Sequence, residues 1–344
     1  MKELLRELVE VKGGSGDEKR VRELIREKVE DKADEISEDN LGNLIVRRGS
    51  GDRTLMVAAH MDQISASVRK IDEEGFIHMK KMWGIDSREL LNQRVEINAS
   101  DGDMVPGVIG QPPVHIQEEE EKGKIPDMED LVVDIGAKDE EAAEELGIRV
   151  GDYIYYDRDL RELADDFVTA PAFDDRVGCA ILIELVERFD EDYELVAVFT
   201  SQEEVGTKGA QTSAYSIEPD AGLAIDVTID TTPPNIETSK YEAEIGAGPH
   251  IELVQTWGRG AIVPESVKDW LIETAEENDH DYNRRLGGGN DARAIYMTKS
   301  GIPTGSIGVP ARSIHSPVEV VKMSDIEATT DFVEDAFSTM EDYF

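Results

Sequence analysis

The chain has 344 residues, of which 36 are lysine or arginine and 76 are aspartate or glutamate, so its formal net charge is -40. This charge argues against binding of nucleic acid through a basic face, and no apolar run approaches the roughly 18 residues of a membrane span. Hydrophobic residues make up 39% of the chain, which argues against wholesale disorder and allows a sizeable core.

The acidic residues are spread along the chain, and no lysine occurs between Lys138 and Lys208. This composition is typical of proteins in concentrated salt, where a Debye length of ~3 Å screens self-repulsion, so we expect a halophilic host. The N-terminal stretch MKELLRELVE lacks an apolar signal core, which indicates a cytoplasmic protein. Cys179 is the only cysteine and is expected to be a small core residue.

Apolar residues at helical spacing predict two helices near the N-terminus, separated by KGGSGDE, which we interpret as a turn and a helix start. The stretch LGNLIVRRGSGDRTLMVAAHMD then predicts two strands joined by a glycine-rich turn. The second strand, from Thr54 to Ala59, is apolar throughout, as expected for a strand covered on both faces.

Residues 69–165 follow a different pattern, in which short β-like pieces alternate with turns and only DEEAAEEL is helical in character. They predict an inserted, mostly-β domain between the two parts of an α/β domain, residues 1–68 and 166–344. In the second part helices and strands alternate, beginning with a helix near Asp175 and ending with a long helix from about Met323. The predicted fold is therefore a three-layer α/β/α domain with a β-rich insert.

Polar side chains mark the predicted strand ends, where sites gather in open α/β sheets. They are His60 and Asp62 in AHMD, Glu203 and Glu204 in QEE, Asp226 in AID, and His315 in RSIHSP, with Asp174 and Asp175 in AFDD before a helix. Two histidines and several carboxylates in one cleft suit Zn²⁺, Mn²⁺ or Co²⁺. Each residue alone has a structural alternative, because an isolated aspartate before a helix is usually a cap and adjacent glutamates can be surface charge.

Nine stretches of the chain carry a family resemblance, and they run in family order over almost the whole chain. They are DNLGNLI, AHMDQI, GVIGQPPVHI, DIGAKDEEAAEELGIRVGD, AFDDRVGCAILIELV, TSQEEVGTKGA, AIDVT, GGGNDA and SIHSPVEV. The chain resembles the tetrahedral (TET), or deblocking, aminopeptidases, a branch of the cocatalytic dinuclear metallo-aminopeptidases. The resemblance implies the same fold and a metal-dependent removal of N-terminal residues from short peptides.

The resemblance also implies a role for each candidate residue. The first divalent ion would be held by His60, Asp174 and Asp226, and the second by Asp174, Glu204 and His315, with Asp174 shared. The side chain of Asp62 would accept the second ring N–H of His60, and Glu203 would be the general base toward a water activated by both ions. Zn²⁺ or Co²⁺ is the expected metal, with Mn²⁺ as an alternative.

Three local features follow from these assignments. Regular alternation would point Glu203 and Glu204 apart, so the strand must break at EEVG, where Gly206 allows a turn. Related sites imply a cis peptide bond between Asp174 and Asp175. Asp291 in GGGNDA is expected either to meet the substrate or to cap the following helix.

Family members assemble as hollow tetrahedral dodecamers built from dimers, and the resemblance implies the same homo-oligomer here, with the insert supplying contacts. Three alternatives to the aminopeptidase remain open at this point. One is a carboxypeptidase or amide deacylase on the same metal site, and another is a non-catalytic acidic scaffold. The third is a glycosidase using Glu203 and Glu204, which requires carboxylates ~5–9.5 Å apart on opposite sides of a sugar.

Overall fold

The structure is a computed structural model, and it describes residues 1–100, 102–113, 115–118, 123–234, 243–256 and 260–344. The chain separates into two compact units. The larger unit comprises Met1–Gln63, Leu160–Ile314 and Val318–Phe344, and the inserted unit comprises Ile64–Asp159 and His315–Pro317.

The strands of the described residues, in chain order, are β1 (Glu35–Glu38), β2 (Leu44–Gly49), β3 (Thr54–His60), β4 (Ala66–Ile71), β5 (Ile77–Lys81), β6 (Gln93–Asn98), β7 (Met104–Ile109), β8 (Val132–Val133), β9 (Tyr153–Tyr156), β10 (Arg161–Glu162), β11 (Phe167–Ala170), β12 (Glu194–Thr200), β13 (Ala221–Ile229), β14 (His250–Gln255), β15 (Ala261–Ile262), β16 (Asn283–Leu286), β17 (Thr304–Arg312) and β18 (Glu319–Lys322).

The helices of the same residues are α1 (Lys2–Glu10), α2 (Lys19–Val29), α3 (Ser87–Leu90), α4 (Glu140–Glu145), α5 (Phe173–Arg188), α6 (Lys208–Ile217), α7 (Glu265–Glu277), α8 (Ala292–Tyr296) and α9 (Met323–Thr339), with 3₁₀ turns at Met128–Asp130 and Met340–Asp342. Among these described helices, none has the length and apolar character that crossing a membrane requires.

The larger unit is built on a twelve-stranded sheet in which β1-β2-β12-β3-β13-β17-β18-β11-β10 are neighbours, with β14 to β16 attached beside β17. Its centre is parallel, because β12 pairs in parallel with β3, β3 with β13, and β13 with β17. The carboxyl ends of these four strands therefore meet at one edge, which is where open α/β sheets place their sites.

The central strands are buried on both faces, which explains their uninterrupted apolar sequence. Leu55 and Val57 of β3 pack in the cluster that includes α1, α2, α5, α7 and α9. The alternate residues Met56 and Ala58 pack in a second cluster with α6 and α8. Since alternate side chains of a strand point to opposite faces, helices cover the sheet on both sides. The predicted three-layer α/β/α architecture is confirmed.

The inserted unit contains a six-stranded sheet in the order β7-β6-β9-β4-β5-β8, and its strand pairs are antiparallel. In β6 the side chains of Val95 and Ile97 are buried in this unit's own core, whereas Arg94 of the same strand is exposed. Such alternation is typical of an antiparallel sheet with one covered face. The insert is mostly β, as the sequence pattern predicts.

Candidate metal centre

The site begins with two side chains at the carboxyl edge of the parallel strands. His60 is the last residue of β3 and lies opposite Thr200, the last residue of β12. Asp226 lies in β13, two positions beyond Ala224, where the pairing of β13 with β3 ends. The Nε2 atom of His60 and the Oδ1 atom of Asp226 are 4.0 Å apart. Strand register therefore brings together two residues that are far apart in the sequence.

The start of α5 contributes two adjacent carboxylates. Asp174 and Asp175 have non-helical backbone angles, and the peptide bond between them is cis, as predicted. The Oδ1 atom of Asp174 lies 3.0 Å from the Nε2 atom of His60. The carboxylate of Asp175 instead accepts hydrogen bonds from the backbone N–H groups of His60 and Gly178, at 3.2 and 2.9 Å.

Gly178 is required for this close approach, because a Cβ atom there would lie 2.3 Å from a carboxylate oxygen of Asp175. The hydrogen bond from the N–H group three residues ahead is that of a helix-capping side chain. Asp175 thus has the capping role that we considered for both aspartates, while Asp174 faces the imidazole.

Ligand atoms of His60, Asp175 and Asp226 all lie within 4.8 Å of one another, and a carboxylate oxygen of Asp174 lies within 4.8 Å of one of Glu204. Burial raises the pKa of Asp226 well above its ordinary value, and the charges of Asp175 and Asp174 add to this effect. Like charges crowded away from water disfavour ionisation, and a cation among them would restore it. The donor set is a buried imidazole with several carboxylates, which suits a divalent metal.

The tautomer of His60 is fixed by its second ring nitrogen. The Nδ1 atom lies 2.9 Å from the backbone carbonyl oxygen of Asp62, which can only accept, so Nδ1 carries a proton and Nε2 is the ring nitrogen that faces the carboxylate of Asp174. The carboxylate oxygen of Asp62 is 3.6 Å from Nδ1. Asp62 is therefore the acceptor, as expected, but it accepts through its backbone carbonyl oxygen and not through its side chain.

The carboxylate of Asp62, which is fully buried, is directed to the loop after β12. It accepts hydrogen bonds from the backbone N–H groups of Glu203 and Glu204, at 2.9 and 3.2 Å, and from the hydroxyl of Ser15. Burial alone would raise the pKa of Asp62, but His60, Ser15 and the N–H of Glu203 outweigh burial and lower it. Asp62 is therefore held as an anion that orients the two glutamates.

The strand break predicted at EEVG is present. β12 ends at Thr200, and the N–H groups of Gly206 and Thr207 both donate to the carbonyl oxygen of Glu203, at 2.7 and 2.8 Å. Gly206 has a φ of +118°, which glycine adopts without steric cost. Burial raises the pKa of Glu203 well above its ordinary value, and nearby carboxylates including Glu204 reinforce this. A glutamate with a raised pKa is suited to accept a proton.

His315 lies between β17 and β18, in the three-residue segment that belongs to the inserted unit. Its φ is +61°. Within that unit a Cβ atom at Gly84 would lie 3.1 Å from the Nδ1 atom of His315, so the glycine allows its backbone to approach the ring. The role of His315 as a metal ligand stays a prediction.

Asp291 directly precedes α8, but its side chain makes no capping hydrogen bond, so the capping alternative is wrong. The Oδ2 atom of Asp291 instead accepts a hydrogen bond from the hydroxyl of Thr200, at the end of β12. Burial raises the pKa of Asp291 to about 6. Contact of Asp291 with the substrate stays a prediction.

Comparison with known proteins assigns the chain to a family. Residues 42–332 match the model of the M42 glutamyl aminopeptidase family. The chain belongs to this family. A putative aminopeptidase of Acetivibrio thermocellus is 37% identical over 330 residues, which are 95% of this chain and 95% of the relative. Membership makes the protein an aminopeptidase, a hydrolase of peptide bonds.

Solved structures of TET peptidases show the same fold. A TET aminopeptidase from the marine sediment archaeon Thaumarchaeota archaeon SCGC AB-539-E09 superimposes with a TM-score of 0.94 at 32% identity, covering 100% of this chain and 98% of that one. The Pyrococcus horikoshii TET1 peptidase, which can assemble into a tetrahedron or a large octahedral shell, gives a TM-score of 0.86 at 31% identity, covering 97% and 98%.

Sequence reasoning on this M42 aminopeptidase missed the surroundings of Asp62. Ser15, whose hydroxyl reaches that carboxylate, lies in the stretch interpreted only as a turn and a helix start. Glu18 in the same stretch is 3% exposed, and its carboxylate accepts a hydrogen bond from the N–H of Gln202 at 3.1 Å. The glycines of KGGSGDE were the available signal, because they permit close backbone approach as well as turns.

Proposed function

We propose that the protein is a metal-dependent aminopeptidase that removes N-terminal residues from short peptides, using two divalent ions and Glu203 as the general base. The proposed ligands are His60, Asp174 and Asp226 for one ion, and Asp174, Glu204 and His315 for the other. The observation that carries the proposal is the convergence of two carboxylates on the Nε2 atom of His60, at 3.0 Å from Asp174 and 4.0 Å from Asp226.

The residues present fit such ions. Nε2 of His60 is the ring nitrogen that a metal would take, displacing any proton there, because Nδ1 donates to the carbonyl of Asp62. Asp174 is the better candidate for the shared ligand, since the carboxylate oxygens of Asp175 already accept backbone N–H groups. One imidazole with carboxylates on each ion suits Zn²⁺ or Co²⁺, with Mn²⁺ as an alternative.

Two bound divalent ions would lower the pKa of a water molecule and polarise the scissile carbonyl. Glu203 would take the proton from the attacking water and deliver it to the departing amine, a transfer that typically contributes 10²–10⁴-fold to the rate. Asp62 would keep Glu203 in reach, because its carboxylate accepts the backbone N–H of Glu203. The substrate's free α-amine would bind beside a carboxylate or a metal, so that only the first residue is removed.

The position of His315 in the chain supports its assignment as a ligand. β17 and β18 are antiparallel neighbours, with Arg312 opposite Val320, and His315 lies in the short connection between them. β17 runs parallel to β13, so this connection follows the same carboxyl edge from which Asp226 projects.

We also propose a homo-dodecamer built from dimers and arranged as a tetrahedron. Its support is the likeness to the TET1 peptidase of Pyrococcus horikoshii, which can form a tetrahedron. Such a shell would admit short peptides and exclude folded proteins. The net charge of -40 supports the further proposal of a salt-rich cytoplasm as its setting.

Elemental analysis of the purified protein, with a panel of aminoacyl-anilide substrates before and after chelation, tests the proposal. We expect about two divalent ions per subunit, loss of turnover on chelation and its return on adding Zn²⁺ or Co²⁺. Peptides with a blocked C-terminus should be cleaved and N-acetylated peptides should not; the reverse pattern would favour a carboxypeptidase or deacylase on the same site. The measurements belong in molar salt, where the negative charge is screened.

Glu203→Gln tests the general base. This variant should lose at least about 10²-fold in kcat, because the amide cannot accept the proton, while its metal content stays at the wild-type level. Glu23→Gln, at an exposed position of α2, is the matched control and should be fully active. Wild-type turnover by the Glu203→Gln variant would refute the assignment.

A further inference from the structure

The stretch Gly13–Glu18, between α1 and α2, lies against the ends of β3 and β12. The N–H of Gln63 donates to the carbonyl oxygen of Gly13 at 3.0 Å, and Gly14 forms an isolated parallel bridge with Gln63. Ser15 is 7% exposed and Glu18 is 3% exposed. These two polar side chains are therefore buried next to the residues that follow His60.

Ser15 acts on the catalytic loop through Asp62. Its hydroxyl donates to the Oδ2 atom of Asp62 at 2.6 Å. The same carboxylate accepts the backbone N–H groups of Glu203 on Oδ1 and of Glu204 on Oδ2. The three donors converge on one buried anion, so its orientation, and that of the glutamate backbone, depends on the hydroxyl. Hydrogen bonds to charged groups are among the stronger ones in proteins.

Glu18 acts on the residue just before the glutamate pair. Its Oε1 atom accepts the N–H of Gly16 at 2.8 Å and the N–H of Gln202 at 3.1 Å. Gln202 has a φ of +56°, in the left-handed region that residues other than glycine seldom adopt. The hydrogen bond from Gln202 to Glu18 favours this conformation, which sets the direction in which the chain continues to Glu203.

Arg176 fixes the stretch to the rest of the site. Its guanidinium is fully buried and donates to the carbonyl oxygens of Val11 at 2.9 Å, Gly13 at 3.1 Å and Met61 at 2.9 Å. Arg176 follows Asp174 by two residues on α5. The stretch, the end of β3 and the start of α5 are thus joined through one side chain.

We propose that Ser15 and Glu18 are positioning residues, which hold the backbone of Gln202, Glu203 and Glu204 in the orientation that turnover requires. The proposal rests on the proposed role of Glu203, since the two residues act through the loop rather than by touching the substrate. Ser15 orients the loop through Asp62, and Glu18 orients it directly at Gln202.

Steady-state kinetics of the metal-loaded protein provide the first test. Ser15→Ala and Glu18→Ala should each lower kcat by about 10- to 100-fold, with KM nearly unchanged, because the base is misoriented while the substrate contacts remain. Ser15→Thr and Glu18→Gln should recover most of the activity, since a hydroxyl donor and an amide oxygen acceptor are retained. Glu23→Ala, on the exposed face of α2, is the control for Glu18→Ala.

Hydrogen exchange of the metal-free protein provides a second test that does not depend on activity. The backbone amides of Gln202, Glu203 and Glu204 should exchange faster in Ser15→Ala and Glu18→Ala than in the wild type or Glu23→Ala. Should Ser15→Ala not fold, Ser15→Cys keeps the side-chain size with a weaker donor and should show the same faster exchange.

The outcomes separate this proposal from the proposed function. If the alanine variants match Glu23→Ala in both kcat and exchange, positioning by Ser15 and Glu18 is refuted even when Glu203→Gln is inactive. If Glu203→Gln remains fully active, the general base is wrong, and the exchange rates still decide whether Ser15 and Glu18 hold the loop. The proposal would also be overturned if the alanine variants had a lower kcat and a higher KM while their amide exchange matched that of the wild type.

Discussion

Two groups of acidic side chains are buried in the larger unit, and they differ in how their charge is balanced. In the candidate metal centre, Asp174 and Asp226 lie close to His60, and burial, followed by the charges of neighbouring carboxylates, raises the pKa of Asp226. In the second group, Glu252 of β14 is paired with Arg285 of β16 at 3.1 Å, and each side chain is 3% exposed.

The second group is complete within the chain. Thr228 of β13 and Ser306 of β17 donate their hydroxyls to Glu252, at 3.3 and 3.2 Å, in addition to the ion pair with Arg285. Burial raises the pKa of Glu252, while Arg285 and the two hydroxyls lower it, so the groups that offset the burial of this acid belong to the protein itself. Crowded acids around an imidazole suit cations from solution, which is why the first group is the one that points to chemistry.

The largest effect should come from removing the internal cation. Arg285→Met should lower the free energy of unfolding by about 3–5 kcal/mol, because Glu252 is left buried without its charge partner. Denaturant unfolding of the metal-loaded protein measures this. Arg284→Met is the matched control, because Arg284 is 51% exposed and its substitution should cost less than about 1 kcal/mol. Equal costs for the two variants would mean that the buried pair is not balanced as described.

Glu18 gives a second test, because it is a buried acid near the metal centre whose carboxylate accepts backbone N–H groups. Burial, followed by the charge of Asp62, raises the pKa of Glu18 from its ordinary value of 4.5 to about 7. The folded protein therefore keeps a proton that the unfolded chain releases between these pH values. The free energy of unfolding should fall as pH rises through this window, by about 3 kcal/mol in total.

Glu18→Gln removes this titration, so its stability relative to the wild type should increase from pH 4 to pH 8. Denaturant unfolding of both chelated proteins from pH 4 to pH 8 measures the difference in their free energies of unfolding. The contributions of the other titrating groups cancel in this difference. For Glu23→Gln, at an exposed site, the difference should stay flat. A flat difference for Glu18→Gln would show that folding does not raise the pKa of Glu18.

The smallest effect concerns one hydroxyl of the balanced group. Thr228→Val keeps the side-chain shape and removes a donor to Glu252, so unfolding should become easier by about 1.5 kcal/mol. In the Glu252→Gln background the same substitution should cost less, because the acceptor no longer carries a charge. A double-mutant cycle measures this coupling, and additive costs would argue against it.

The same contrast explains which parts of the fold the sequence predicts. β3, β12 and β13 are apolar almost throughout, so their burial on both faces is visible as a continuous run. β14 and β16 were not predicted, because HIELVQ and NRRL contain Glu252 and Arg285, which look like surface charges. Their burial depends on each other, and that pairing exists only in three dimensions.

The site was predictable to the extent that strand ends deliver it. His60 and Asp226 were found because parallel strands bring their carboxyl ends to one edge. The family resemblance favours Asp174 over Asp175, but residue types alone could not rank them, since the hydrogen bonds that Asp175 accepts from backbone N–H groups form only in the folded chain. Even with the glycines of KGGSGDE as a signal, Glu18 could not be paired with Gln202, which is 184 residues away along the chain.

The inserted unit leaves the larger unit directly after Gln63 and returns at Leu160. For a flexible loop, the entropic cost of closing the ends grows only with the logarithm of its length, by about 0.6 kcal/mol for each doubling. Gln63 is meanwhile fastened in place by its hydrogen bond to Gly13. By this scaling, changes in the number of residues between Gln63 and Leu160 cost the larger unit little closure entropy, so the length of the insert can vary while Asp62 keeps its place just after the end of β3.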